Sequence, residues 1–118
     1  MTATVDLRPG RLNIKSTRGD TVALPIVISE AGAPADLTGR TYLCQIRRTK
    51  PGDVIVEVDV DDTDAATGEL VLRIDDLDTE PLSGLYVWDL EQSIGDNPRT
   101  ILAGTWLFEP DVTREVAS

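Results

Sequence analysis

Apolar and polar residues alternate along most of this chain. In "TVALPIVIS" Val22, Leu24, Ile26 and Ile28 fall on one side and Pro25 on the other. Successive side chains of a β-strand point to opposite faces, so such a run predicts a strand with one buried face. Pro25 has no amide proton to give a ladder, which predicts an edge position or a bulge there. "RTYLCQIRR" places Tyr42, Cys44 and Ile46 together, with Arg47 opposite. "DVIVEVDVD" sets Val54, Val56, Val58 and Val60 against Ile55, Glu57, Asp59 and Asp61. "ELVLRI" turns Leu70, Leu72 and Ile74 inward, and "GLYVWDLEQ" does the same with Tyr86, Trp88 and Leu90. "TILAGTWLF" offers Leu102, Trp106 and Phe108, with Gly104 in phase between them. A weaker early strand, "RLNIKS", carries Leu12 and Ile14.

Turn chemistry separates these runs at Pro9-Gly10, Arg18-Gly19-Asp20, Gly32 to Pro34, Lys50-Pro51-Gly52-Asp53, Thr67-Gly68, Pro81 to Gly84 and Gly95 to Pro98. Strands this short at such regular spacing predict an all-β fold, a β-sandwich or small barrel, and of these we adopt an immunoglobulin-like antiparallel β-sandwich of about seven to eight strands as the expectation. No window carries the stripe of a long helix. "DDLDTEPLS" predicts one helical turn near 76–80, because Asp and Thr cap well and Pro81 stops it. A length of 118 residues suits one domain, 1–118, with the weakly patterned stretches 1–10 and 110–118 as terminal arms.

Charge narrows the partners. There are 21 acids against 11 bases, a net charge of −10. Such a surface repels nucleic acid and anionic membranes, so neither is expected, while a basic partner would match it. No stretch is long and apolar enough to span a bilayer, and "MTATVDLRPG" lacks the apolar stretch of a signal peptide. The expectation is a soluble product made in the cytoplasm. The chain has no histidine and one cysteine, Cys44. That removes the commonest general base and metal ligand, the usual Ser or Cys triads and any internal disulfide. We therefore expect no enzyme, no cofactor and no metal.

The remaining candidate chemistry is acidic. Asp59, Asp61, Asp62, Asp64 and Glu69 resemble a calcium loop, but counting from Asp59 the sixth residue is Asp64 and the twelfth Leu70. An EF-hand needs Gly and Glu there, so a solvated hairpin loop 59–69 that deters edge pairing is the better reading. Asp75, Asp76 and Asp78 could pair as the carboxylates of a glycoside hydrolase, which also needs an aromatic-lined cleft. Yet Tyr42, Tyr86, Trp88, Trp106 and Phe108 all fall in the core phase. Cys44 sits mid-strand among apolar neighbours and reads as an inert buried thiol, with Arg47 and Arg48 close in sequence. Arg18-Gly19-Asp20 spells the tripeptide that integrins read, but a glycine between polar residues and between strands is first of all a turn.

The ordered set of motifs resembles a module of bacteriophage structural proteins. In "RGDTVALPIVISEAGAPADLTGRTYLCQIR" a "GDT" turn opens a strand, and a "G-x-x-x-DLTG"-type loop leads into a strand ending in "IR". "TGELVLRI", "LSGLYVWDLE" and "TILAGTWLFEPDVT" follow. Over roughly residues 11 to 114 the chain is similar to the N-terminal β-sandwich of upper-baseplate proteins in phages of Gram-positive hosts, and to related tail and fibre attachment domains. The resemblance implies a non-enzymatic virion protein that contacts other virion proteins and copies of itself. The matching residues are structural: Gly19, Asp20, Asp36, Thr38, Gly39, Gly68, Gly84, Tyr86, Trp88, Asp89, Gly104 and Trp106. Gly19 and Gly39 suit tight turns, Asp36 and Thr38 can bond to nearby backbone, and Asp89 can pair with Arg47 or Arg99. In the relatives the module heads a longer fibre chain, whereas this chain ends at Ser118. The expectation is an accessory of the tail, the head–tail junction or the capsid. The alternative is a carbohydrate-binding sandwich for host attachment or capsid decoration, which would need aromatics on an exposed face.

Overall fold

The computed structural model describes residues 3–6 and 10–110. Its strands are β1 (Ala3–Asp6), β2 (Gly10–Arg11), β3 (Ile14–Thr17), β4 (Val22–Glu30), β5 (Ala33–Pro34), β6 (Thr41–Arg47), β7 (Val54–Asp61), β8 (Glu69–Ile74), β9 (Gly84–Ile94) and β10 (Asn97–Glu109). A 3₁₀ turn at Ala65–Thr67 precedes β8, and one helical turn, α1 (Asp76–Thr79), follows it. The helical turn expected near 76–80 is therefore present.

The fold is all-β. The strands form one curled mixed sheet in the order β1-β4-β8-β7-β6-β9-β10-β2, with β3 also on β10 and β5 on β4. The curl gives a half-barrel with two leaves that share β7. The first half of β7 lies antiparallel to β6, from Val54 to Val58, and its second half pairs Asp59, Val60 and Asp61 with β8. The apolar faces of both leaves close on one core, in which Ile26, Ile28, Leu37, Cys44, Ile46, Leu70, Leu72, Leu90 and Trp106 are fully buried.

The architecture departs from the expected antiparallel sandwich at its edges. β1 runs parallel to β4, and β2 and β3 run parallel to β10. Parallel neighbours need a long connection between them, and alternation within a strand carries no sign of one. The described parts of the N-terminal stretch thus lie against both leaves. Ala3–Asp6, inside the stretch read as an arm, pairs with Ile26 to Ser29. Most of the C-terminal stretch, 111–118, lies outside the described residues. Pro25 sits opposite Val71 on the β8 side, one residue outside the β1 register.

Burial follows the period-two reading in β4, β8 and β9 and departs from it at two irregularities. In the β9–β10 hairpin the register shifts between Thr100 and Leu102, and Ile101 and Leu102 are both buried. A bulge turns consecutive side chains the same way, which alternation alone cannot foresee. In β7 the register shifts opposite Ile46 and Arg47, and Val54 and Ile55 are both exposed. Val54 was expected inside; the bulge breaks the alternation before the strand reaches the core.

The closest backbone approach is at Gly104. Between β2 and β3, the Leu12 N–H donates to the Ala103 carbonyl at 3.0 Å, and Asn13 Oδ1 accepts the Thr105 N–H at 3.1 Å. The Leu12 carbonyl then lies where a side chain at position 104 would stand; a methyl there would overlap it. Trp88, the register partner of Gly104, donates its indole N–H to that same carbonyl at 3.0 Å. Overpacking a tight site costs about 1–3 kcal/mol, more when the obstacle is backbone. Gly104→Ala should therefore lower the urea-unfolding free energy by at least about 2 kcal/mol; an unchanged midpoint would refute this packing.

Candidate functional site

The Arg18-Gly19-Asp20 turn joins β3 to β4, strands that lie in different leaves. Its arginine does not reach out. The guanidinium of Arg18 donates from Nε and Nη2 to the Glu80 carbonyl, at 3.0 and 2.7 Å. Thr79, fully buried, donates its hydroxyl to the Asp20 carbonyl at 2.8 Å. Gly19 is buried with φ 81°, and the Asp20 N–H closes the turn on the Thr17 carbonyl at 3.2 Å. The tripeptide thus clamps α1 onto the end of β3. Its backbone and its arginine are spent on that clamp, which leaves only the Asp20 side chain exposed.

Two loops use the same device. In the first, Asp36 Oδ1 accepts from the Thr38 N–H at 3.0 Å and from the Thr38 hydroxyl at 2.6 Å, just before Gly39 at φ 83°. In the second, Asp61 Oδ1 accepts from the Thr63 N–H and hydroxyl at 3.0 and 2.6 Å. Asp61 also takes the Arg73 guanidinium on its other oxygen at 3.1 Å. Hydrogen bonds to the ionised form favour it. The Thr38 contacts hold Asp36, and the Thr63 contacts followed by Arg73 hold Asp61, below the ordinary aspartate pKa. Among the described residues the Asp-x-Thr pattern occurs twice, the second time inside the acidic run 59–64. Gly68 ends that loop at φ 83°, with Ile28 and Ala35 backbone atoms packed where a side chain would point.

The acidic clusters do not converge. Among the described residues no group of three or more acids or thiols is placed to hold a metal ion. Asp61 is committed to Thr63 and Arg73, and Asp76 accepts the Leu77 N–H at 3.0 Å. Asp76 and Asp78 on α1 and Asp75 just before it are exposed.

The aromatic residues are core. Trp88 and Trp106 meet edge to face at 5.6 Å, Tyr86 meets Phe108 the same way at 5.8 Å, and Trp106 stacks on Phe108. All four are buried. The Trp106 indole N–H donates to Ser16 Oγ at 3.0 Å, and the Tyr86 hydroxyl accepts the Ser83 N–H at 3.0 Å beside Gly84. Tyr42 is half-buried and donates to Gln92, itself buried, at 2.8 Å; burial pushes its phenol up to about 12. No indole face is open for a sugar to stack on. Cys44 is fully buried, and burial, reinforced by Asp89, pushes its thiol far above the ordinary range. Arg48 lies over the Tyr86 ring at 4.5 Å and donates to the Ser83 carbonyl, away from Cys44.

One surface feature was invisible in the sequence. On the outer face of the β10–β9–β6 leaf a shallow groove of about 140 Å³ is lined by Arg11, Arg47, Lys50, Val87, Asp89 and Thr105, among others. Arg47 approaches Asp89 at 3.9 Å and donates to Gln45 at 2.7 Å. The register explains the gathering. Arg11 and Asp89 both stand opposite Ala103, and Arg47 stands opposite Val87, so residues far apart in the chain meet across four strands.

Two outcomes follow. Cys44 should resist an aromatic disulfide reagent, and acrylamide should barely quench tryptophan emission, until the protein unfolds; rapid stoichiometric labelling of the native protein would contradict this burial. The Asp61 carboxylate binds protons less readily in the folded state. Its contribution is fully present above the ordinary aspartate value of 3.8 and is lost as pH falls through the lower folded value. Asp61→Asn should therefore be less stable than wild type at about pH 7, with the gap in urea midpoints narrowing as the pH is taken below 3.8; a gap independent of pH would show that the contacts do not act through charge.

Comparison with known proteins gives a fold and no sequence family. No family model matches the chain, and no curated protein matches it significantly by sequence. Among solved structures it is similar to the N-terminal domain of phage TP901-1 ORF48, with a TM-score of 0.60 at 17% identity. The match covers 92% of this chain and 99% of that one. The chain therefore has the fold of a phage protein domain, in keeping with the resemblance read from its motifs.

Proposed function

We propose that this chain is a non-enzymatic structural protein of a bacteriophage particle, acting through contacts with other particle proteins and with copies of itself. The observation that carries this reading is the fold shared along nearly the whole chain with the N-terminal domain of phage TP901-1 ORF48. Identity of 17% conveys architecture rather than activity, so the functional step rests on the shared fold together with the motif order. The state of the side chains supports it. The thiol is buried, Asp36 and Asp61 are engaged in their own loops, and the tryptophans pack against each other, so these groups serve the fold. A sugar-binding role would need exposed aromatic faces, and four of the five aromatic groups, both tryptophans among them, are buried in the core.

On this reading the sheet is a rigid frame, a two-leaf β-sandwich of the immunoglobulin-like kind with one side opened. Its outer faces and the stretches 1–10 and 110–118 are the contact elements. The site is the tail and baseplate, the head–tail junction or the capsid surface. Mass spectrometry of purified particles, with copy number counted against the major capsid protein, tests it. Near-equal copies indicate capsid decoration, and a few to a few dozen indicate the tail or the head–tail junction. Absence from the particle refutes the proposal.

A further inference from the structure

The groove on the outer face of the β10–β9–β6 leaf departs from the charge of the molecule as a whole. The chain carries −10, yet the groove lining holds three cations, Arg11, Arg47 and Lys50, against one carboxylate, Asp89. Elsewhere, cations are consumed by the fold: Arg18 on the Glu80 carbonyl, Arg40 on Glu30, Arg48 on the Ser83 carbonyl and Arg73 on Asp61. Among the described residues Arg11 and Lys50 have no acidic partner, and both side chains are exposed. The groove has a structural cause. Ala103, Gly104 and Thr105 are small, and the long side chains of Arg11 and Arg47 stand on either side of them.

We infer that this groove is the docking surface for an acidic segment, one carrying Asp or Glu side chains, of a neighbouring particle protein. Guanidinium groups bind carboxylates bidentately, and an ammonium beside them adds a third donor group. Charge supplies orientation as well as attraction. An acidic partner is repelled by the rest of this surface and accepted at the groove, which restricts it to one pose. The strongest rival surface is the open side of β7 from Val54 to Val58, where β6 is the only described neighbour and Val54 and Ile55 are exposed. The bulge at Ile55 and the flanking Asp53, Glu57 and Asp59 are what blunt an edge against added strands, so we assign docking to the groove.

The inference rests on the particle role proposed above, and the test separates the two. Particles are prepared from phage encoding the wild-type chain, Arg11→Glu/Lys50→Glu, or Val54→Lys/Ile55→Lys, and copies per particle are counted by mass spectrometry. The groove variant should lose at least about tenfold in copy number, since like charges facing each other across an interface cost more than the 1.4 kcal/mol a tenfold change represents. The edge variant should incorporate normally. Urea midpoints of the purified variants show whether each is folded; if the groove variant is not, Arg11→Gln/Lys50→Gln replaces it. Normal incorporation of a folded groove variant overturns the inference and leaves the particle role intact. Selective loss of the edge variant overturns it in favour of strand addition at β7. Absence of the wild-type chain from particles removes the particle role, and this docking surface with it.

Discussion

Two buried indole N–H groups set the terms for the rest of the structure. Trp88 and Trp106 fill the middle of the core, and an indole placed there must find an acceptor or leave a donor unpaired in an apolar interior. Both acceptors come from one short stretch of chain, the Leu12 carbonyl and the Ser16 hydroxyl. That stretch must therefore lie along β10, and it can do so only because Gly104 leaves room for the Leu12 carbonyl. Among the described residues no buried side-chain nitrogen or oxygen lacks a partner. The tryptophans thus tie the first strands to the last, and the packing of Tyr86 and Phe108 around them follows from that anchorage.

The alternation of apolar residues made most strands legible. Val22, Leu24, Ile26 and Ile28, then Leu70, Leu72 and Ile74, stand inside as their phase requires. Alternation reports which face a side chain takes, and nothing about which strand lies beside it. Hence the parallel placement of β1 on β4 and of β3 on β10 could not be read locally, nor could β7 passing from one leaf to the other. Bulges defeat the same logic, because one extra residue resets the phase, as at Ile101 and Ile55. Turns read better: Asp36 with Thr38 announced itself through short-range chemistry that needs no knowledge of the fold. The groove lay beyond reach for the opposite reason. Arg11, Arg47 and Asp89 are unremarkable where they stand in the chain, and only the sheet register makes them neighbours.

The polar residues also divide by task. Arg18, Arg40, Arg48 and Arg73 each serve a loop or a strand end, and Gln92 is buried to receive Tyr42 and Arg40. Among the described arginines these four are turned to the frame's own assembly, whereas Arg11 has no acidic partner. Arg11 and Lys50, which have no acidic partner among the described residues, line one groove with Arg47.

The pairing of β3 with β10 has a consequence for the order in which the chain can become itself. Ile14 to Thr17 are made long before their partners, Trp106 to Glu109. A ladder between strands so far apart in sequence makes for high contact order, and folding governed by such distant contacts is slow. Until Trp88 has been made the Leu12 carbonyl has no indole to meet, and until β10 follows the core has no lid. The native state is thus reached only once β10 has been made, and a chain halted before Phe108 would keep its hydrophobic leaves open to whatever else is being made nearby.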